Sequence, residues 1–344
     1  ARIKHELEKD YSEDEWVRIW LESIAASCGY VITSNGGVEG FLDNLRRTNE
    51  KIVALFEGIE ELYQTPSPTL QRAFRALLVG LPMRLRSEVG RPVGCVIFSR
   101  RDTTEIAVSQ NLDHFRREYG QYSLSWSEED VLELAAWIAT GSGALSELWN
   151  KDFQKKSRNE KDNALDPLWG RKLGPNDRPG SRTREAYTSK WVIAVLSDLQ
   201  GRLVPRDLVR LLANAASIQS PETQSDDLID RLLDPKSLRD AVAPTSASKV
   251  AETVEEIPVL QPVFAKFEEH AEKVDVPIET GDIQILTLTG ADLELLQRHG
   301  IIFGRTPPFE VPELFRRGLR LRHSGARYSV ISLFEKARKG RERS

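Results

Sequence analysis

The sequence predicts an α/β core with a mainly parallel sheet, followed by a helical segment and then a smaller C-terminal unit of helices and short strands. Three observations carry this reading. Two short apolar runs, Ile52-Val53-Ala54-Leu55-Phe56 and Val93 to Phe98, flank a long amphipathic stretch, which is the strand–helix–strand order of a parallel sheet. From Ser127 onward the apolar period becomes helical over several successive stretches. Near the end, a helical stretch leads into two brief apolar runs on either side of Thr306-Pro307-Pro308. At 344 residues, 40% of them hydrophobic, the chain exceeds one typical domain and predicts two or three.

Taken in order, residues 12 to 28 read as an amphipathic helix. Ser12 and Glu15 make a capping box, Trp16, Ile19, Trp20 and Ile24 share a face, and Gly29 is a stop. Tyr30-Val31-Ile32-Thr33 is extended, Ser34-Asn35-Gly36-Gly37 is a loop, and a polar helix from Val38 to Asn49 leads into the apolar run 52–56, a buried strand. A helix from Thr69 to Glu88 aligns Leu70, Phe74, Leu77, Leu78, Leu81 and Leu85, and Val93 to Phe98 forms a second buried strand. Helices over Glu128 to Ile138, Thr188 to Leu199 and Arg206 to Ala216, with a polar loop between Lys151 and Arg184, suggest a helical lid. Past the turn Ser220-Pro221-Glu222 come helices at Asp226 to Leu233, Ser246 to Glu256 and Leu260 to Lys273. The tail reads Ile285 to Thr289 extended, Ala291 to His299 helix, Ile301 to Phe303 strand, a Pro-Pro turn, and Phe309 to Val311 strand, the order of a winged helix. The expected domains are 1–126 (α/β core), 127–220 (lid), 221–335 (winged helix) and a basic tail, 336–344, with Lys336, Arg338, Lys339, Arg341 and Arg343.

Composition excludes several classes. A net charge of −4 gives no global field for nucleic acid, so any such contact needs a local patch. Cys28 and Cys95 are too few and too far apart for a disulfide framework or a zinc site, which fits a cytoplasmic protein. No apolar run approaches the length of a membrane helix, and no membrane partner is expected. His5, His114, His270, His299 and His323 share no metal-ligand spacing, and Gly-x-Ser-x-Gly is absent. The tryptophans Trp16, Trp20, Trp126, Trp137, Trp149, Trp169 and Trp191 mostly fall at apolar helical spacing and mark packing. Met83 is the only methionine and Ala1 opens in charged, helix-like sequence, so the natural start is expected upstream.

Ligands of open parallel sheets bind beyond the carboxyl ends of the strands. The first run ends in Phe56-Glu57-Gly58-Ile59-Glu60-Glu61, three carboxylates where phosphoryl transfer handles Mg²⁺ and a water nucleophile. The second ends in Phe98-Ser99-Arg100-Arg101-Asp102, a hydroxyl and two guanidiniums suited to phosphate charge. Either group alone reads as loop solvation; at adjacent strand ends they suit one ligand.

On these residues Ile52 to Glu61 resembles a Walker B strand of the signal-transduction ATPases with numerous domains, a branch of the AAA-type P-loop ATPases. Cys95 to Arg101 resembles their sensor 1 strand, and Val204-Pro205-Arg206-Asp207-Leu208 resembles the Pro-Arg element in the lids of related AAA-type ATPases, where the arginine is sensor 2. Trp149, Trp169-Gly170 and Arg184-Glu185-Ala186-Tyr187-Thr188 resemble bacterial ATPases carrying a variant Lys-Gly-Gly-Val-Gly-Arg loop. The resemblance implies a P-loop-type sheet, ATP and Mg²⁺ as cofactors, and a nucleotide-dependent signalling switch. Glu57 would hold Mg²⁺, standing where the family has Asp and one methylene longer. Glu60 or Glu61 would position water, and Ser99, Arg100 and Arg206 would sense the γ-phosphate. Pro205 suits a first helical turn, beside which a guanidinium can meet phosphate.

No Gly-x-x-x-x-Gly-Lys-Ser/Thr occurs, and Gly36-Gly37-Val38-Glu39-Gly40 has no lysine and carries an acid. The 344 residues alone should therefore bind ATP poorly, the loop lying upstream or the domain being degenerate. The alternative is a winged-helix DNA-binding or interaction scaffold using Arg298, Arg305, Arg316, Arg317, Arg320 and Arg322. Asp292 and Glu294 on its expected reading helix argue against DNA and for an internal regulatory role, with a homo-oligomer or a regulatory protein as partner.

Overall fold

The computed structural model describes residues 2–31, 37–62, 67–174, 185–219, 231–324 and 329–342. The fold is mixed α/β and mostly helical, with only short parallel strands, and the chain divides into two compact units, 1–123 and 124–344.

In the first unit, α1 (Arg2–Glu6) precedes α2 (Glu13–Ser27), which opens on the expected capping box: Ser12 N donates to Glu15 at 2.8 Å and Glu15 N to Ser12 Oγ at 3.3 Å. α3 (Gly37–Thr48) leads into β1 (Ile52–Phe56). The long expected helix is real but not uniform: α4 (Pro68–Arg75) passes through one π-helical segment, Ala76–Gly80, into α5 (Leu81–Ser87). β2 (Val93–Ile97) then pairs parallel with β1, and α6 (Arg101–Ala107) and α7 (Leu112–Tyr119) close the unit. The core lies on one side of the sheet. Trp16 and Phe74 are fully buried, Trp20 sends its indole N–H to the Ala73 carbonyl at 2.9 Å, and its ring meets Phe56 edge-on at 5.8 Å.

Both strands were expected to be buried, and here the structure differs. Ile52, Ala54, Phe56, Val93, Cys95 and Ile97 face the helices, whereas Val53, Leu55, Val96 and Phe98 on the other face are 42–69% exposed. Parallel strands carry apolar residues on both sides because both are normally covered; the described residues cover only one. Tyr30 and Val31 are not in a strand, and the rest of that expected segment, Ile32 and Thr33, lies outside the described residues together with the loop 34–36.

In the second unit, α8 (Glu128–Gly141) also opens on a capping box, Ser127 with Asp130. The expected polar loop 151–184 is instead partly helical, with α9 (Lys151–Lys155), α10 (Arg158–Ala164) and α11 (Asp166–Trp169). Phe153, Leu165 and Trp169, sparse within a polar sequence, are each anchored in the core, which periodicity alone did not reveal. α12 (Thr188–Leu196), α13 (Pro205–Ile218), α14 (Pro235–Asp240) and α15 (Val242–Glu256) complete this core. The expected turn 220–222 and most of the helix 226–233 lie outside the described residues; Arg231 to Leu233 are not helical.

α16 (Gln261–His270), α17 (Thr280–Ile285), α18 (Gly290–Arg298) and α19 (Glu313–Gly318) surround a smaller core, with β3 (Asp275–Val276) parallel to β4 (Arg322–His323), before α20 (Val330–Glu342). Ile285 to Thr289, read as extended, is the end of α17 and the cap of α18: Leu286 N bonds Asp282 O and Thr289 Oγ1 accepts from Asp292 N. The expected strands 301–303 and 309–311 shrink to single bridges, Phe303 with Glu310 and Ile278 with Phe309. Arms of three residues each are too short to extend a ladder against the Pro-Pro turn, whose prolines lack N–H donors.

Candidate functional site

The site is built at the carboxyl edge of the first sheet. β1 and β2 run in register from Ile52 opposite Val93 to Phe56 opposite Ile97, and Phe98 N donates to Phe56 O at 2.9 Å. Both chains therefore leave the sheet at the same edge. After β1, Glu57 is exposed and has no hydrogen-bond or ion-pair partner among the described residues. Gly58 turns the chain at φ +69°, a conformation that favours glycine, into one 3₁₀ turn, Ile59–Leu62, pinned by buried Ile59. The side chains of Glu60 and Glu61, on that turn, lie outside what is described.

After β2, Ser99 and Arg100 lead into α6. Thr104 Oγ1 donates to the Arg100 carbonyl at 2.9 Å and lies 2.9 Å from Ser99 Oγ, which itself reaches the same carbonyl at 3.3 Å. Arg100 forms a fork with Asp102, Nε to Oδ1 at 3.2 Å and Nη2 to Oδ2 at 3.1 Å, and both side chains are about one-third exposed or less. Asp102 Oδ1 also accepts from Thr103 N at 2.9 Å. The guanidinium is thus held in a bidentate geometry that a phosphate could share, but a carboxylate from its own loop already occupies it. Arg101 is exposed, with Ser123 Oγ at 3.3 Å. Behind the site, burial pushes the Cys95 thiol up, which disfavours the thiolate as a nucleophile or metal ligand.

The structure brings Glu57, Ser99 and Arg100 to one edge. Asp102 and Thr104, which orient them, carried no role in the sequence reading; the clue was their spacing, two and four residues beyond Arg100. Among the described residues no group of three His, Cys, Asp or Glu side chains is placed to hold a metal ion. A carboxylate such as Glu57 still fits Mg²⁺ in the manner that ion prefers, one or two carboxylates with phosphate and water completing the shell.

Arg206 lies in the second unit. It occupies the first turn of α13, behind Pro205 as expected, and pairs with Glu252 and Glu256 of α15, while Arg210 reaches Glu252 at 2.5 Å. Beneath them Asp207, 1% exposed, binds Lys249 at 2.9 Å. Arg206 as found ties α13 to α15. The segments around Trp169-Gly170 and Glu185 to Thr188 do meet: Leu173 N donates to Ala186 O and Thr188 N to Arg171 O, both at 3.0 Å. Arg184 lies outside the described residues.

The basic surface expected near the C-terminus is smaller than its sequence. Arg316 is buried, forked onto Glu313 and bonded to the Leu321 carbonyl, so it is a core ion pair and not a phosphate contact. Arg317 shares the same carboxylate, whereas Arg298, Arg305, Arg320 and Arg322 are exposed. In the tail, Arg343 and the side chain of Arg341 lie outside the described residues. No helix among the described residues is long and apolar enough to cross a membrane.

Compared with protein-family models, with curated proteins and with solved structures, the chain matches none.

Proposed function

We propose that residues 1–123 are part of the nucleotide-binding sheet of a P-loop ATPase of the signalling type, acting as a nucleotide-dependent switch. The observation that carries this is the shared carboxyl edge of β1 and β2, with an exposed carboxylate at Glu57 beside a hydroxyl and a forked guanidinium at Ser99 and Arg100. In this reading Glu57 would hold Mg²⁺, Glu60 or Glu61 would position water, and Ser99 and Arg100 would meet the γ-phosphate. Arg100 would exchange Asp102 for phosphate, a swap between two bidentate partners of like charge. Arg206 would serve as a lid sensor only after releasing Glu252.

The uncovered apolar face of Val53, Leu55, Val96 and Phe98 supports the same reading, because a sheet of this kind is completed by further strands and helices. The phosphate-binding loop, absent from the 344 residues, would arrive with them. The nucleic-acid reading of the C-terminal unit is disfavoured by the burial of Arg316 and by Asp292 and Glu294 on α18.

The test is calorimetric titration of Mg²⁺-ATP into this chain and into a longer gene product carrying a phosphate-binding loop. Saturable binding by the longer protein alone supports the proposal. No binding by either overturns it in favour of an interaction scaffold.

A further inference from the structure

α8 presents two different faces. Val131, Leu132, Ala135, Ala136 and Ala139 enter the core, while Asp130, Glu133, Leu134 and Trp137, at successive helical turns, line a surface hollow of about 340 Å³. Trp126, which precedes the helix, and Trp149, which follows it, complete the walls with Ser125. Trp149 is set there by its backbone N–H, which donates to Thr140 Oγ1 at 2.8 Å. Three of the chain's seven tryptophans thus share one hollow, and Trp137 is 54% exposed, an expensive placement for an indole that only packs.

The charge of the hollow is negative. α8 carries Glu128, Glu129, Asp130 and Glu133, and α10 carries Glu160 and Asp162 with Arg158 and Lys161, so acids outnumber bases six to two on the two helices. One oxygen of each lining carboxylate is already committed: Asp130 Oδ2 accepts from Ser127 N and Oγ, both at 2.7 Å, and Glu133 Oε1 accepts from Lys161 Nζ at 2.8 Å. Carboxylate charge therefore stands beside an apolar part of the lining, the side chains of Trp126, Leu134, Trp137 and Trp149. A cation that carries its own methyl groups suits both, its charge drawn by the carboxylates and the aromatic rings and its methyl groups by the apolar side chains. The volume lies at the small end of ligand pockets, suited to a head group.

We propose that this hollow binds an alkylated ammonium group, carried by a small quaternary amine or by a methylated lysine side chain. The inference is independent of the nucleotide reading.

Calorimetric titration of the full chain with choline, with its neutral isostere 3,3-dimethylbutanol, and with matched peptides bearing trimethyl-lysine or unmodified lysine tests it. Choline or the trimethyl-lysine peptide should bind saturably, and whichever binds identifies the source. The neutral or unmethylated counterpart should bind roughly 3- to 30-fold more weakly, the span of an exposed to a desolvated cation–π contact. Trp137→Ala should abolish binding and Trp137→Phe should restore part of it, with unchanged circular dichroism in both, because the side chain is half exposed. Equal affinity for the charged and neutral members of a pair, binding that survives Trp137→Ala, or no saturable binding by any probe would each overturn the proposal.

Discussion

Lys161 offers the sharpest test of the second unit's energetics. Its side chain is 3% exposed, yet it carries an ammonium that bridges Glu129 at 2.9 Å and Glu133 at 2.8 Å, two carboxylates one turn apart on α8. Burial alone would lower its pKa, but the hydrogen bonds it donates to Glu133 and Glu129, with their negative charge, outweigh that and hold it raised. Glu129 is 51% and Glu133 27% exposed, so water can take over the carboxylates if the lysine is removed. Lys161→Met should therefore cost about 1 kcal/mol or less. The reverse deletion, Glu129→Gln with Glu133→Gln, leaves a buried ammonium unpaired and should cost about 3–5 kcal/mol. An independent bound agrees: the lysine can always escape by losing its proton, which at pH 7 costs about 4.6 kcal/mol from an ordinary pKa near 10.4. The same bound falls to about 1.9 kcal/mol at pH 9. Thermal unfolding followed by circular dichroism should show the double variant melting roughly 6–20 °C lower at pH 7, with the deficit shrinking toward pH 9. In the intact protein a raised lysine pKa contributes stability that is full below the unfolded value and fades as pH rises through the folded one. Equal deficits in the Met and double Gln variants, or a deficit independent of pH, would refute this account.

Three further outcomes are expected. In a protein completed by a phosphate-binding loop, Glu61→Gln should lower ATP turnover about 10²- to 10⁴-fold while sparing ATP binding, with Glu60→Gln as its companion; unchanged turnover in both removes these residues as the water-positioning base. Gly318→Ala should cost about 1–3 kcal/mol in urea unfolding, because a Cβ there would sit 2.7 Å from the Ser246 carbonyl oxygen and 2.4 Å from Val250 where α19 packs on α15; a neutral result would mean the two helices can separate freely. Burial would raise the Asp292 carboxyl, but Lys266 and the Thr289 N–H and hydroxyl hold it lowered; its contribution is present above the unfolded value near 4 and is lost as pH falls through the folded one. Lys266→Met should accordingly lessen the loss of stability on acidification through that range, and an identical acid limb would exclude the pair.

Local signals survived translation into structure. The Ser12–Glu15 box, Pro205 at the start of α13, and the strand–helix–strand order around β1 and β2 depend on neighbours within a few residues, or on a period long enough to outvote single exceptions. The convergence of Glu57 with Ser99 and Arg100 was legible for the same reason, since parallel neighbouring strands must end at one edge. Long-range partnership was not. Nothing near Arg316 distinguishes it from Arg317, yet one is buried on Glu313 and the other is exposed. Lys161 sits in a polar run and becomes a core cation because two glutamates lie about thirty residues away. Trp126, Trp137 and Trp149 read as packing residues one at a time, and only the fold makes them the walls of a single hollow.

The sequence by itself determined the longer periodic helices and the two principal strands, because hydrophobic period and caps act over one or two turns of chain. The tertiary structure decided which charges are paired, which face of the β1–β2 sheet is covered, and which aromatic side chains gather. Each of those depends on the free energy of bringing distant groups together, and that is set by the packing of whole elements.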